Sequence, residues 1–128
     1  MASRFIEAFW DTMGTNDFAA ASLLLSKDFE YYMPQSQEYM RGRDAFVAVN
    51  SNYPASGPWV FKVHSIIESN DRGVSDVSVT DGAIQARVIT FHTVENGLIT
   101  RQLEFWPDPY PAPEWRTEWT EIRSEPPF

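Results

Sequence analysis

The hydrophobic period of this chain changes near Trp59. Before it, apolar residues recur at helical spacing: Phe5, Phe9 and Met13, with Trp10 beside them, run up to Gly14. Asn16 and Asp17 then offer an N-cap to a second helix through Ala19, Leu23 and Leu24, and Asp28 closes the helical pair. Phe29 to Pro34 is short, aromatic and β-prone. Gly42-Arg43-Asp44 opens a third helix carrying Phe46 and Val49, which Tyr53-Pro54 and Gly57-Pro58 terminate. Beyond that point the chain alternates. Trp59, Phe61, Val63 and Ile67 oppose Lys62, His64 and Glu68; strands over 74–80, 83–94 and 98–106 follow, the last two joined by the type I′ turn signal Asn96-Gly97. Helices first and a meander afterwards define an α+β fold, a curved antiparallel sheet wrapped around three N-terminal helices.

A chain of 128 residues fits one domain, at the usual ~100–200 residues each. Its last segment, 107–128, opens with four prolines in seven residues and reads as a tail packing on that domain, anchored by Trp115 and Trp119 in a short helix or edge strand. The absence of cysteine excludes disulfides, thiolate metal sites and a cysteine nucleophile. Two histidines far apart, with no His-x-His or His-x-x-x-His spacing, predict no metal site. A net charge of −8 with ten scattered basic residues argues against nucleic-acid and anionic-membrane partners. No apolar run approaches a membrane span and the N-terminus lacks a signal-peptide pattern, so a cytoplasmic protein is expected.

Two residues stand out chemically. Glu104 lies among Leu103, Phe105 and Trp106, where desolvation favours the protonated acid and moves the carboxyl toward the general acid/base range. Its plain alternative is an edge residue paired with Arg101. His92 shares a strand face with Val88, Thr90 and Val94 and has the proton-shuttle chemistry of imidazole; its plain alternative is a hydrogen-bonded core residue. A two-residue turn at Asn96-Gly97 places His92 opposite Arg101 and puts Glu104 on the other face, so the two share a side only if a β-bulge lies between Ile99 and Glu104. His64 reads as exposed, and Asp76 as an outward carboxylate near Arg87. Aromatic residues are 15% of the chain; the simplest account is a core filled with large side chains, and an aromatic-lined cavity is the other.

Phe9-Trp10-Asp11 with Thr15-Asn16-Asp17, Gly42-Arg43-Asp44-Ala45, and Asn96-Gly97-Leu98-Ile99 leading to Glu104-Phe105-Trp106 occur in an order and spacing that resembles the SnoaL-like branch of the nuclear transport factor 2-like (NTF2-like) superfamily. The resemblance implies a cone with a central pocket for a small apolar or aromatic ligand, no cofactor, and a homodimer through the outer sheet face. It also implies that His92 and Glu104 face inward. Residues of the open end of the core would then touch the ligand: Trp10, Met13, Met33, Phe46, Tyr53, Trp59, Val88, Thr90 and Trp106. Ketosteroid isomerase-like members carry a tyrosine and an aspartate where this chain has Phe9 and Met33, which cannot move a proton. Limonene epoxide hydrolase-like members match at Tyr31 and Glu104 but need an asparagine at Met33 and an arginine on the strand holding Ser75, Val77 and Val79. SnoaL-like cyclases need chiefly one carboxylate, and Glu104 fits.

These readings lead to a cofactor-free acid/base enzyme of isomerase, cyclase or hydrolase type. Glu104 moves the proton, His92 assists and Tyr31 binds a substrate oxygen. A non-catalytic ligand binder, or an interaction module using the outer sheet and the Trp115/Trp119 tail, are the alternatives.

Overall fold

A computed structural model describes residues 1–128. Helix α1 spans Ala2–Met13, α2 Phe18–Ser22 and α3 Arg43–Asn52; strands β1 to β6 span Leu25–Met33, Glu38–Arg41, Val60–Ser69, Arg72–Thr80, Gln85–Glu95 and Leu98–Phe105. The strands form one sheet in the order β2-β1-β6-β5-β4-β3. Every pairing is antiparallel except β1 with β6, which run parallel because α3 and the β3–β5 meander intervene between them. The antiparallel expectation therefore needs this one correction.

Helix α1 lies across the concave face because its apolar residues form one stripe: Ile6, Phe9, Trp10 and Met13 are all buried. Strand residues at period two answer them, Ser75, Val77 and Val79 from β4 and Val88, Thr90 and His92 from β5. The approach is close. A Cβ on Gly73 would sit 2.5 Å from Ile6 Cδ1, so glycine lets the helix settle there. Asp17 caps α2 by accepting from the Ala20 amide at 2.9 Å. Asn16 does something else: in a left-handed conformation (φ 63°), its amide grips both the N–H and C=O of Trp59, at 2.7 and 2.8 Å.

Four further departures from the sequence reading have local causes. The second helix ends at Ser22 rather than Asp28, since Leu25 is drawn fully into the core at the start of β1 and its carbonyl takes two bonds from the Arg43 guanidinium. Strand β2 was not anticipated; it pairs with β1 over Glu30–Met33. In β3, His64 is an extra residue between the pairs Val63–Val77 and Ser65–Asp76, so strict alternation fails and Ile67 turns outward, 70% exposed. The tail forms only a 3₁₀ turn at Glu114–Arg116, and Trp115 and Trp119 are 73% and 72% exposed, so neither indole anchors it. No helix is long and apolar enough to cross a membrane.

Candidate active site

At the open end of the cone lies a cavity of about 500 Å³, walled mainly by apolar side chains. Of the residues expected there, Trp10, Met13 and Phe46 come from the helices, Tyr31 and Met33 from β1, and Tyr53, Trp59 and Trp106 from the rim. Tyr53 and Trp59 meet edge to face, with ring centroids 5.2 Å apart.

Glu104 is the buried carboxylate of this wall, only 6% exposed. Its inward aim depends on Thr100 standing outside the ladder. Glu95 pairs with Leu98 and Val94 with Ile99, as the Asn96-Gly97 turn dictates, and then Thr93 pairs with Arg101. Thr100 is the surplus residue, a bulge that brings Gln102 opposite His92 and Glu104 opposite Thr90. The carboxylate collects three donors. The Tyr31 hydroxyl and the Trp106 indole N–H (2.9 Å) both reach Oε1, and the Thr90 hydroxyl reaches Oε2 at 2.7 Å. Burial raises the carboxyl above its ordinary value, while these donors pull the other way. The Tyr31 hydroxyl is itself pushed up, by burial first and then by the neighbouring carboxylate. The alternative pairing of Glu104 with Arg101 does not occur: Arg101 lies on the opposite face, 3.3 Å from Glu30.

His92 shares this face but does not reach the cavity, contrary to expectation. It is fully buried one strand pair deeper, beneath the rings of Phe9 and Trp10 (centroids 6.2 and 6.4 Å away). Its Nε2 lies 2.8 Å from Ser75 Oγ, which also accepts from the Trp10 indole at 3.0 Å, and its Nδ1 lies 3.1 Å from the Gln102 amide. Burial depresses it to about 3, so it is neutral at ordinary pH and unsuited to shuttling protons. Thr90 is likewise enclosed, behind the carboxylate it bonds, and Val88 is shut in beside its partner Val77; neither lines the cavity. His64 and Asp76 sit as read, His64 exposed beside Ser78 and Asp76 in a two-point ion pair with Arg87 at 2.5 and 2.8 Å. No group of three His, Cys, Asp or Glu side chains is placed to hold a metal ion.

Sequence reasoning missed Gln102, Tyr39 and Met40 as cavity residues. Period two from Glu104 points to Gln102 directly. Tyr39 and Met40 ride on the unanticipated β2.

A cone of this topology whose apolar cavity ends on one buried carboxylate is an NTF2-like pocket protein. The chain belongs to the SnoaL-like domain family, whose profile matches residues 6–102. Glu104 lies just beyond that match. No curated protein matches the chain. Among solved structures, a candidate ketosteroid isomerase from Kribbella flavida is similar at 26% identity and TM-score 0.87, covering 95% of this chain and 89% of its own. An NTF2-like protein of unknown function from Burkholderia xenovorans follows at 24% and 0.78, covering 96% and 95%. An LEH-like epoxide hydrolase from M. tuberculosis shares the fold at 19% and 0.68, covering 83% and 82%.

Proposed function

We propose that this protein is a cofactor-independent acid/base enzyme, of isomerase, cyclase or hydrolase type, acting on an oxygen-bearing apolar or aromatic molecule. The observation that supports it is Glu104: a desolvated, buried carboxyl at the wall of a mainly apolar cavity, tied to a hydroxyl that borders the same space. Trp106 can only donate, so it fixes Oε1 whatever the protonation state. The Tyr31 hydroxyl can turn. With the carboxylate ionised, it donates to Glu104; with the carboxyl protonated, it accepts from the acid and turns its own hydrogen to the cavity. Tyr31 then hands a proton to a substrate oxygen while Glu104 replaces it, and the reverse motion removes one.

Two chemistries that the similar proteins suggest are not favoured by this chain. Ketosteroid-type isomerisation lacks a base at Met33 and a donor at Phe9, despite the similarity to the Kribbella flavida protein. Epoxide opening lacks the asparagine and arginine partners of its water. A second reading, a non-catalytic binder, draws on the three donors that already satisfy Glu104. The two separate experimentally. Native mass spectrometry of protein purified from its host identifies a retained small molecule, and Glu104→Gln then abolishes its turnover while keeping its binding; turnover at the wild-type rate defeats the catalytic reading.

The homodimer belongs to the same proposal. Phe91 and Phe105, in edge-to-face contact at 6.2 Å, stand with Leu103 on the convex face away from the helices, and Phe91 and Leu103 are 37% and 36% exposed. That is an apolar strip suited to an isologous contact.

A further inference from the structure

The buried chain Trp10–Ser75–His92–Gln102 has no part in the proton transfer proposed above, yet its last member opens on the cavity. Gln102 lines the wall two residues before Glu104, on the same strand face and roughly 7 Å along it. In the structure its amide Nε2 meets His92 Nδ1 at 3.1 Å, and its Oε1, without a protein partner, is not sealed from the cavity, since no buried side-chain polar atom lacks one.

The direction of the chain follows from its first member. An indole N–H only donates, so Ser75 Oγ accepts from Trp10. The Ser75 side chain is fully buried, and its only other partner is His92 Nε2. A hydroxyl hydrogen left without an acceptor there keeps the full desolvation penalty of a buried, unsatisfied donor. Ser75 therefore donates to Nε2. The ring is neutral and holds one hydrogen, which this places on Nδ1, pointing at the Gln102 amide. That contact needs the amide oxygen. A half-turn of the terminal amide from its placed orientation, Nε2 on the ring, exchanges oxygen and nitrogen within one outline, and the donor count selects the turned form. We propose that Gln102 presents its NH₂ group to the cavity as a fixed hydrogen-bond donor, oriented through His92, and that the ligand carries a carbonyl oxygen to receive it. His92 is thus a positioning residue. The inference rests on the cavity being a ligand site, and it adds the functional group that the ligand must have.

The opposite direction, with hydrogen on Nε2 and the Gln102 oxygen facing the cavity, would select a hydroxyl or amine instead. Two measurements separate them. Nitrogen NMR of labelled protein reads the His92 tautomer directly, with His64→Gln, an exposed site away from the cavity, assigning the two rings. The expected result is a protonated Nδ1 and a bare Nε2; the converse overturns the proposal. Binding of 2-acetylnaphthalene is then compared with that of 2-isopropenylnaphthalene, which has the same shape with CH₂ in place of oxygen. Wild type should favour the ketone about tenfold, and Gln102→Met should reduce the preference below about twofold while leaving the alkene's affinity in place. A preference unchanged in Gln102→Met, or equal binding of both probes to wild type, removes Gln102 from recognition and leaves the cavity reading intact. Failure of both probes to bind wild type defeats the cavity reading, and this one with it. If Gln102→Met does not fold, the tautomer and the wild-type ratio still decide.

Discussion

Glu104 and His92 are two ionisable side chains on one sheet face, and burial divides them. Glu104 is dry but borders the cavity; His92 is drier and does not. Each has a consequence for stability with its own sign. The folded Glu104 carboxyl titrates above 4.5, so from 4.5 up to its folded value the native state holds a proton that the unfolded chain has released, and stability falls as pH rises through that window. His92 is depressed from 6.5 to about 3, so the unfolded chain binds a proton the native state refuses, and stability is lost as pH falls from 6.5 toward 3. Melting curves across pH should show Glu104→Gln gaining on wild type from 4.5 upward and His92→Gln losing less than wild type on acidification. A Glu104→Gln curve parallel to wild type would mean that the carboxyl is not desolvated. On an identified substrate, Glu104→Gln should lower kcat/KM by roughly 100-fold or more, the scale of general acid/base catalysis. Tyr31→Phe should lower it at least tenfold, since no other hydroxyl of the Glu104 cluster borders the cavity; an unaffected Tyr31→Phe enzyme would remove the relay.

At the scale of elements, the sequence made the helices and the meander legible because period 3.6 and period two are properties of consecutive residues. The Asn96-Gly97 turn was legible for the same reason, and both its residues take positive φ, 53° and 78°. What escaped depends on pairing across the chain. Strand β2 is four residues with no alternating burial, formed because β1 offers it an edge. The extra residue at His64 has no mark in its own composition, and reversing Ile66 and Ile67 needs the β4 partner. The Thr100 bulge was arguable from register arithmetic, whereas the depth of His92 required knowing that α1 lays Phe9 and Trp10 over it. Thr100 gives a sharp test. Deleting it makes Val94–Ile99 and Thr93–Arg101 consecutive pairs and leaves Glu104 opposite Thr90, so the variant should fold with less local twist and keep the raised Glu104 titration. A carboxyl returning to its ordinary value in that variant would show that the bulge, beyond register, is what buries it. Asn16→Ala, by contrast, removes both ties to Trp59 and should cost about 1–3 kcal/mol in denaturant unfolding, with the cavity rim loosened.

The molecule as a whole has two surfaces that its cone does not use, the tail and the convex sheet, and burial separates them. Beyond Asp108 the side chains are almost all exposed, including both tail tryptophans, so removing residues 110–128 should shift unfolding free energy by less than about 0.5 kcal/mol while sparing Pro107 and Asp108 at the cavity. The convex sheet is different, because its exposed apolar groups are contiguous. A net charge of −8 opposes self-association, so any dimer must meet through a face where charge is already neutralised. Around the strip formed by Phe91, Leu103 and Phe105, Arg87 is bonded to Asp76 and Arg101 to Glu30, and exposed Arg72 adds a positive charge that offsets part of the net negative one. A stable contact needs about 800 Å² from each partner, an area a six-stranded face can supply. Placing one carboxylate at the centre of a two-fold contact puts two like charges together and desolvates both. Phe91→Glu should therefore convert a dimer to a monomer in sedimentation velocity, while its cavity still binds 2-acetylnaphthalene as wild type does. A wild-type chain that sediments as a monomer at micromolar concentration, or a Phe91→Glu chain that remains dimeric, would take the interface away from this face without touching the cavity.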